Sequence, residues 1–413
     1  MSARQRTALF LIAIIFVAFI SLGLPDGLLD IANPRIRGTF GIGPDVFSLL
    51  FLTGVTGYSV SSFFAGQLVT HMGIALLLSA SCLVTASALI GDALSPGWGW
   101  FVLLGLMGGG GAGAIDTGLN TYVATHHSPR LMFWLHASFG LGVTSGTWIM
   151  SLVVNSGQSW RLGYAIVGGM QIGLALVILL TCARWPQPES QTVQTTEQPS
   201  EQENKPPIRV TLRIPVVWLG IALFFLYTGV EITTGRWASS LFIEGRHIKP
   251  ETAGLWVSAY WGMFTIGRVV AGFVRGVTPI MFLRLSMIGA VIAAALLVWK
   301  PANWTSGLAI GLLGIAFAPI FPMLVSATPG RVGSTHAPNA IGFEIAAAGI
   351  GGLVIPSLTG ILAKTVSIDT MPVLILIVTT TVFVLHEAVL RFPPFPQAAA
   401  SAAPILETSA ADR

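Results

Sequence analysis

Within GLMGGGGAGAIDTGLNTY, Gly105 to Tyr122, an aspartate and an asparagine interrupt a long uncharged run. Read as helix, Asp116 and Asn120 continue the face that carries Gly105, Gly109 and Gly113. A carboxyl in apolar surroundings survives only if it is paired, hydrated or used, and burial disfavours its charged form. Asp116 so placed can take up and release a proton. Further candidates lie in similar runs: Asp26 in SLGLPDGLLDIANP, with Asp30 a turn beyond; His136 in MFWLHASFG; Glu231 in YTGVEITTGRW; Glu344, with Asn339 before it. An imidazole at His136 can hydrogen-bond a carboxylate or a substrate hydroxyl, and neighbours easily shift its titration. Trp134, Trp148, Trp237 and Trp261 also fall inside apolar runs, where they stack on a ligand or fill the core.

The same stretch contains a G-x-G-x-x-G, Gly108 to Gly113. A dinucleotide fingerprint requires a preceding strand, a helix opening at the glycines and an acidic residue about 20 positions on. Here the glycines sit inside an apolar run, and small residues every four positions instead let two membrane helices approach closely. No Walker A, H-E-x-x-H or G-x-S-x-G motif is present, so neither an enzyme nor an ATP-driven pump is expected. No cofactor or metal is implied, and Cys82 and Cys182 have no metal-type spacing.

The elements that position these residues follow from composition. Of 413 residues, 53% are hydrophobic and only 9% charged, with a mean hydropathy of +0.78. Soluble proteins carry about 25% charged residues, so a polytopic membrane protein is expected. The net charge of +4 comes without a basic block and excludes nucleic acid as a partner. Runs long enough to span a bilayer lie at 8–31, 44–69, 74–92, 98–124, 130–154 and 162–183, then at 214–241, 252–274, 279–299, 304–327, 337–364 and 370–391. The first is too long for a signal-peptide core and is read as a spanning helix. Trp98, Trp100, Trp160, Trp185, Trp299 and Trp304 sit at span ends as an interfacial belt.

Two groups of six result: an all-α membrane protein with bundles at 1–185 and 213–393, a polar linker at 186–212 that cannot bury a core and is expected to be disordered, and a flexible tail at 394–413. With the N-terminus cytoplasmic, inside segments carry twelve Lys and Arg against seven outside, which favours both termini cytoplasmic. Arg268, near the inner end of span eight, is read as snorkelling to the surface or locking a gate. An ionisable group at mid-membrane costs roughly 2.5–3.5 kcal/mol on insertion scales, so Asp116 marks function.

The halves echo one another: GLMG at 105 and GLLG at 311, Ala65-Gly66 and Ala271-Gly272, HASFGLG at 136 and IAAAGIG at 345. Six plus six helices with such an echo resemble the major facilitator fold of twelve transmembrane helices in two pseudo-symmetric six-helix bundles, in which the halves rock to give alternating access. More closely, the chain resembles the fucose:proton symporter family. GAGAIDTGLNTYV is similar to its fourth-helix pattern, PDGLL to its first, YTGVEITTG to its seventh and YWGMFTIGR to its eighth; IFP at 320 and GGLVIPSLTG at 351 fit the tenth and eleventh. The resemblance implies proton-coupled uptake of a monosaccharide, with Asp116 and Asp26 carrying coupling, aided by His136. Asn120, Glu231, Tyr260, Trp261, Trp134, Phe139, Asn339 and Glu344 are expected at the substrate, and the protein is expected to be a monomer in a plasma membrane, a bacterial inner membrane in particular. The sequence departs from the family at two positions: His136 stands for a sugar-contacting glutamine and Phe139 for an asparagine, which makes the pocket more apolar. The loop GQLVTHMGIA also lacks the acidic-arginine core of the usual gate motif. Two other readings stand beside symport: a proton-antiport exporter of a metabolite or drug-like compound, and a membrane scaffold or sensor that no longer transports.

Overall fold

The computed structural model describes residues 3–185 and 206–393. Among them, twelve membrane-length spans follow one another: α1 Ala3–Phe40, α2 Pro44–Met72, α3 Ile74–Leu94, α4 Trp98–His126, α5 Pro129–Asn155, α6 Trp160–Leu180, α7 Pro215–Ser240, α8 Pro250–Ala271, α9 Pro279–Trp299, α10 Asn303–Val332, α11 Ala337–Thr365 and α12 Thr370–Arg391. Eleven are long and apolar enough to cross a membrane. The twelfth, α8, has 22 residues but dilutes its apolar content with Ser258, Tyr260, Thr265 and Arg268. An even number of crossings puts both termini on one side, here called the terminal end.

Local chemistry explains the boundaries. Six of these spans, α2, α5, α7, α8, α9 and α11, carry proline in their first two positions, where a fixed φ and a missing N–H are tolerated. Gly73 alone joins α2 to α3 at φ 80°, a conformation other residues rarely adopt. Span α1 runs unbroken through Pro25 and Pro34. Span α10 is instead interrupted: helix Asn303–Phe317 stops, and helix Ile320–Val332 begins after Pro319. Pro319 and Pro322 have no N–H to donate, so carbonyls in this turn are free for side chains.

Packing repeats between the halves. In the first, α1 pairs with α5, α2 with α4 and α3 with α6; in the second, α7 pairs with α11, α8 with α10 and α9 with α12. Glycines make the closest approaches. Gly23 and Gly27 meet the α5 backbone, and Gly142 and Gly146 meet that of α1. The stripe on α4 faces α2: Gly105 lies against Leu50, Gly109 against the backbone of Gly54 and Gly113 against Tyr58 and Ser62. A side chain at Gly109 would drive into the Gly54 carbonyl. Gly109→Leu is therefore expected to cost about 1–3 kcal/mol or more, seen as a lower unfolding temperature in detergent, whereas Gly169→Leu, which faces open space, should leave it nearly unchanged.

The halves meet along α2 against α11 and α5 against α8, a pairing that respects the internal repeat. At the terminal end the contact is close. Gly66 abuts the backbone of Pro338 and Asn339, Gly342 abuts Ser62, Phe63 rests on Phe343 at 4.7 Å, and Trp134 lies against Gly272 and Phe273. Of the linker expected at 186–212, residues 186–205 lie outside the described residues, as does the 394–413 tail. Its remainder differs from the disordered reading. Ile208–Thr211 form a helical turn, Thr211 is buried, and Ile208 and Leu212 pack with Ile214, Val332 and Phe343, because these apolar side chains have a surface to cover. Pro206 sits on the seam itself: its carbonyl accepts from Gln67 Nε2 of the first half at 3.2 Å and from Asn339 Nδ2 of the second at 3.0 Å.

Candidate functional site

Between the halves lies a cavity of about 490 Å³. It begins near mid-membrane, at Asp116, His136, Glu231 and Arg268, and runs along α1, α2, α3 and α4 past Asp26, Leu50 and Leu104, away from the terminal end. Its walls are mostly aromatic and aliphatic, with Phe19, Leu22, Phe51, Phe139 and Phe321 among them.

The glycine stripe of α4 delivers Asp116 to this floor next to α2. Tyr58 of α2 donates its hydroxyl hydrogen bond to Asp116 Oδ2. Asn120, one turn further on α4, donates from Nδ2 to Asp116 Oδ1 at 2.6 Å. Asn120 Oδ1 then lies 2.9 Å from His136 Nε2 on α5. An ionised carboxylate only accepts. It therefore fixes the amide of Asn120 with its nitrogen toward Asp116 and its oxygen toward His136, and His136 must carry its proton on Nε2 to complete the bond. Phe19 and Phe321 hold the imidazole edge-to-face, each at 5.1 Å. The result is one hydrogen-bonded relay, Tyr58–Asp116–Asn120–His136, drawn from three helices.

Arg268 closes the floor from the other half. Its side chain is buried, its guanidinium lies 4.1 Å over the ring of Phe264, Nε donates to Ala318 O and Nη1 to His136 O, each at 3.4 Å. The Ala318 carbonyl is available because residue 322, whose N–H would take it in an unbroken helix, is proline. Arg268 lines the same cavity floor as Asp116 and Glu231. The reading of Arg268 as snorkelling is thus corrected: it lies inside the protein and links the two halves. Replacing it with lysine keeps the charge but loses the planar fork. Arg268→Lys is expected to lower transport at least tenfold with little change in expression, measured as solute uptake per reconstituted protein.

Of the residues singled out in the sequence, Asp116, Asp26, His136, Phe139 and Glu231 line the cavity. Glu231 Oε2 is buried and accepts no hydrogen bond from the described residues. Asn120 is fully buried behind Asp116 and acts through it. The others stand elsewhere. Tyr260, fully buried, donates to the backbone carbonyl of Glu231 at 2.9 Å and so braces α7 rather than facing the cavity. Trp261 packs on Tyr260 and Phe264 and lies against Gly235. Trp134 belongs to the terminal-end contact, and Asn339 grips Pro206 and Thr211 there. Glu344 accepts from Thr328 at 2.7 Å inside the second half, away from the cavity. Helical periodicity places a residue on a face but not against a particular neighbour, and these five faces turn to partners within the fold. Sequence reading overlooked Tyr58, one of only five tyrosines in the chain, and also Asp92 and Gln171, which line the cavity from α3 and α6. A polar side chain inside each apolar run was the available signal.

Residues 11–343 match the Major Facilitator Superfamily. The chain belongs to that superfamily. Its relatives among known proteins are distant: the Bypass of stop codon protein 6 of Saccharomyces cerevisiae is 23% identical over 87% of this chain and 78% of its own length, and the mouse Sodium-dependent glucose transporter 1A is 24% identical over 84% and 88%. Among solved structures, the E. coli fucose:proton symporter superposes with a TM-score of 0.74 at 16% identity, covering 92% of this chain and 98% of that one. At such identity the likeness shows the fold alone. As a Major Facilitator Superfamily protein the chain is a multi-pass membrane transporter and not an enzyme, with the twelve helices and two pseudo-symmetric bundles expected from its sequence.

Proposed function

We propose that this transporter couples a proton to the movement of a monosaccharide or similar small polar solute by alternating access, as a symporter. The observation that carries the reading is the relay at the cavity floor: a carboxyl in mid-membrane, open to the cavity, with both oxygens held by neutral donors and an imidazole one bond further on. Neutral donors let Asp116 change protonation without breaking an ion pair. When Asp116 takes a proton on Oδ1 it becomes a donor there, and Asn120, whose Nδ2 can only donate, must turn its amide over. Protonation is then felt at His136 and, through the His136 carbonyl, at Arg268 of the other half. Asp26, exposed to the cavity beyond the floor, serves as the second carboxyl, and Glu231 and Phe139 contact solute from opposite halves. The printed names of the relatives, a glucose transporter and a fucose:proton symporter, support a sugar-like solute.

In this reading both termini are cytoplasmic, so the described conformation faces outward, and the protein is a monomer of the plasma membrane, a bacterial inner membrane in particular. One observation favours a second reading. The cavity wall is predominantly aromatic and aliphatic, which suits a proton-antiport exporter of an amphipathic compound. Net uptake into empty proteoliposomes decides, run in parallel with labelled monosaccharides and labelled organic cations while a trapped dye reports internal pH. Symport predicts monosaccharide entry with internal acidification. Organic-cation uptake with internal alkalinisation would overturn it, as would solute uptake without any proton flux.

A further inference from the structure

A second pocket, of about 320 Å³, lies at the terminal end on the seam where α5 meets α8. Arg130 and Phe133 line it from the first half, and Arg275, Val277, Phe282 and Met323 from the second. Two contacts pin these short segments together. The rings of Phe133 and Phe282 meet edge-to-face at 6.2 Å, and Trp134 lies against Gly272 and, at 5.4 Å, Phe273. Arg130 stands one helical turn before Phe133 on the same face. Arg275 follows Gly272 by three residues, in the tight link between α8 and α9 where Gly276 takes φ 79°. One small space is therefore bordered by an arginine from each half. Both are exposed, and neither makes an ion pair or a hydrogen bond among the described residues.

No described carboxylate neutralises them. The sequence has no Asp or Glu between residues 117 and 188 or between 252 and 343. Of the described carboxyls at this end, Glu344 is buried and accepts from Thr328, while Glu387 takes both arms of the Arg284 fork at 2.6 and 2.7 Å. Two like charges beside one space repel unless an anion lies between them. The rest of the pocket wall is mostly apolar, and Phe273, Val277, Ile280 and Met281 at its edge are exposed, as side chains facing lipid are. The pocket thus opens where the lipid-facing surface meets water, and it joins two cations to an apolar base. A small inorganic anion would leave that base uncovered; a phospholipid matches both parts. We propose that the pocket binds an anionic phospholipid, its phosphate gripped by Arg130 and Arg275 and its glyceride portion resting on Phe133, Phe282 and Met323. The planar fork of arginine suits phosphate oxygens, and basic pockets between spans near a membrane surface hold such headgroups. A lipid so bound spans the seam between the halves. The site shares no lining residue with the main cavity and rests on neither the proton nor the solute reading.

The test uses the delipidated full chain in detergent, its unfolding temperature followed at fixed pH and ionic strength as phosphatidylglycerol or phosphatidylcholine of the same acyl chains is added. Binding to the folded state alone raises that temperature, so a saturable rise of several degrees with phosphatidylglycerol over phosphatidylcholine is expected. Arg130→Gln and Arg275→Gln should each raise the midpoint about tenfold or more, the loss of one charge-assisted contact. Both arginines are exposed and unpartnered among the described residues, so these variants should fold as the wild type does. Arg213→Gln removes an exposed arginine of the same end outside the pocket and should leave the midpoint unchanged. Equal responses to the two lipids overturn the proposal, as does a midpoint that the pocket variants leave in place. Equal weakening by Arg213→Gln would assign the response to the charge of the whole end and defeat it too. A rise of the same size in inorganic phosphate without lipid would make this a site for a soluble anion, and the lipid assignment would fall.

Discussion

Proteoliposomes containing Asp116→Asn are expected to lose uphill accumulation of solute while keeping counterflow. An imposed gradient of one pH unit is worth about 1.4 kcal/mol, or a tenfold accumulation at one proton per solute. The wild type should approach that ratio and the variant should stay near equality. The asparagine keeps the shape of the aspartate, and Tyr58 can still donate to its oxygen. At the other position an NH₂ now meets Asn120 Nδ2, donor against donor, until Asn120 turns its oxygen inward and its nitrogen toward His136. That rearrangement costs about one hydrogen bond, roughly 1 kcal/mol, too little to unfold the protein but enough to fix the relay in one state. Exchange survives because a permanently neutral residue still lets the loaded halves rock. Undiminished accumulation by the variant would remove Asp116 from coupling.

Gly66→Val should give the second large effect, through the seam rather than the relay. A Cβ at residue 66 would meet the backbone of Pro338 and sit 2.6 Å from the Asn339 nitrogen, and backbone cannot step aside as a side chain does. Closure of the terminal end therefore becomes unfavourable, and the population shifts toward the conformation open at that end. A cysteine placed on the cavity wall at Leu22 reports this from one side and a cysteine at Phe63 from the other. Labelling by a membrane-impermeant thiol reagent is expected to fall at least tenfold at Leu22→Cys and to rise at Phe63→Cys. Transport should drop in parallel. Gly342→Val, whose Cβ would meet the Ser62 carbonyl, should act in the same direction. Gly169→Val, with open space around it, is the control. Unaltered labelling in both seam variants would mean that the contact at Gly66 does not hold the end shut.

Much of this architecture was legible because a bilayer imposes a coarse rule: about 20 apolar residues make a span, and few other patterns produce them. Predicted boundaries for α2, α3 and α9 fall within two or three residues of those in the fold. The stripe Gly105–Gly109–Gly113 was readable as a close contact for the same reason, since spacing by four survives any rotation of the helix. Its partner was not. Nothing in GLMGGGGAG names α2, and so nothing tied Tyr58 to Asp116. The site divided along the same line. Asp116, Asp26, His136 and Glu231 were visible as polar atoms in apolar runs. Asn339 and Glu344 gave the identical signal yet hold the linker turn and Thr328, because a buried polar group must find a partner whether or not it has a function. Arg268 went the other way: position near a span end suggested the surface, and only the break in α10, with the Ala318 carbonyl it frees, explains why the guanidinium stays inside.

The grip on Pro206 has a mechanical corollary. One carbonyl is shared by Gln67 and Asn339, residues of opposite bundles, so parting the terminal end breaks at least one of these bonds. At about 0.5–1.5 kcal/mol apiece, the pair acts as a small latch, weighted toward the shut position. Tugging on the chain upstream of Pro206, by shortening it or tethering a binding protein to it, would tip that balance and convert the joint between bundles from a passive leash into a throttle.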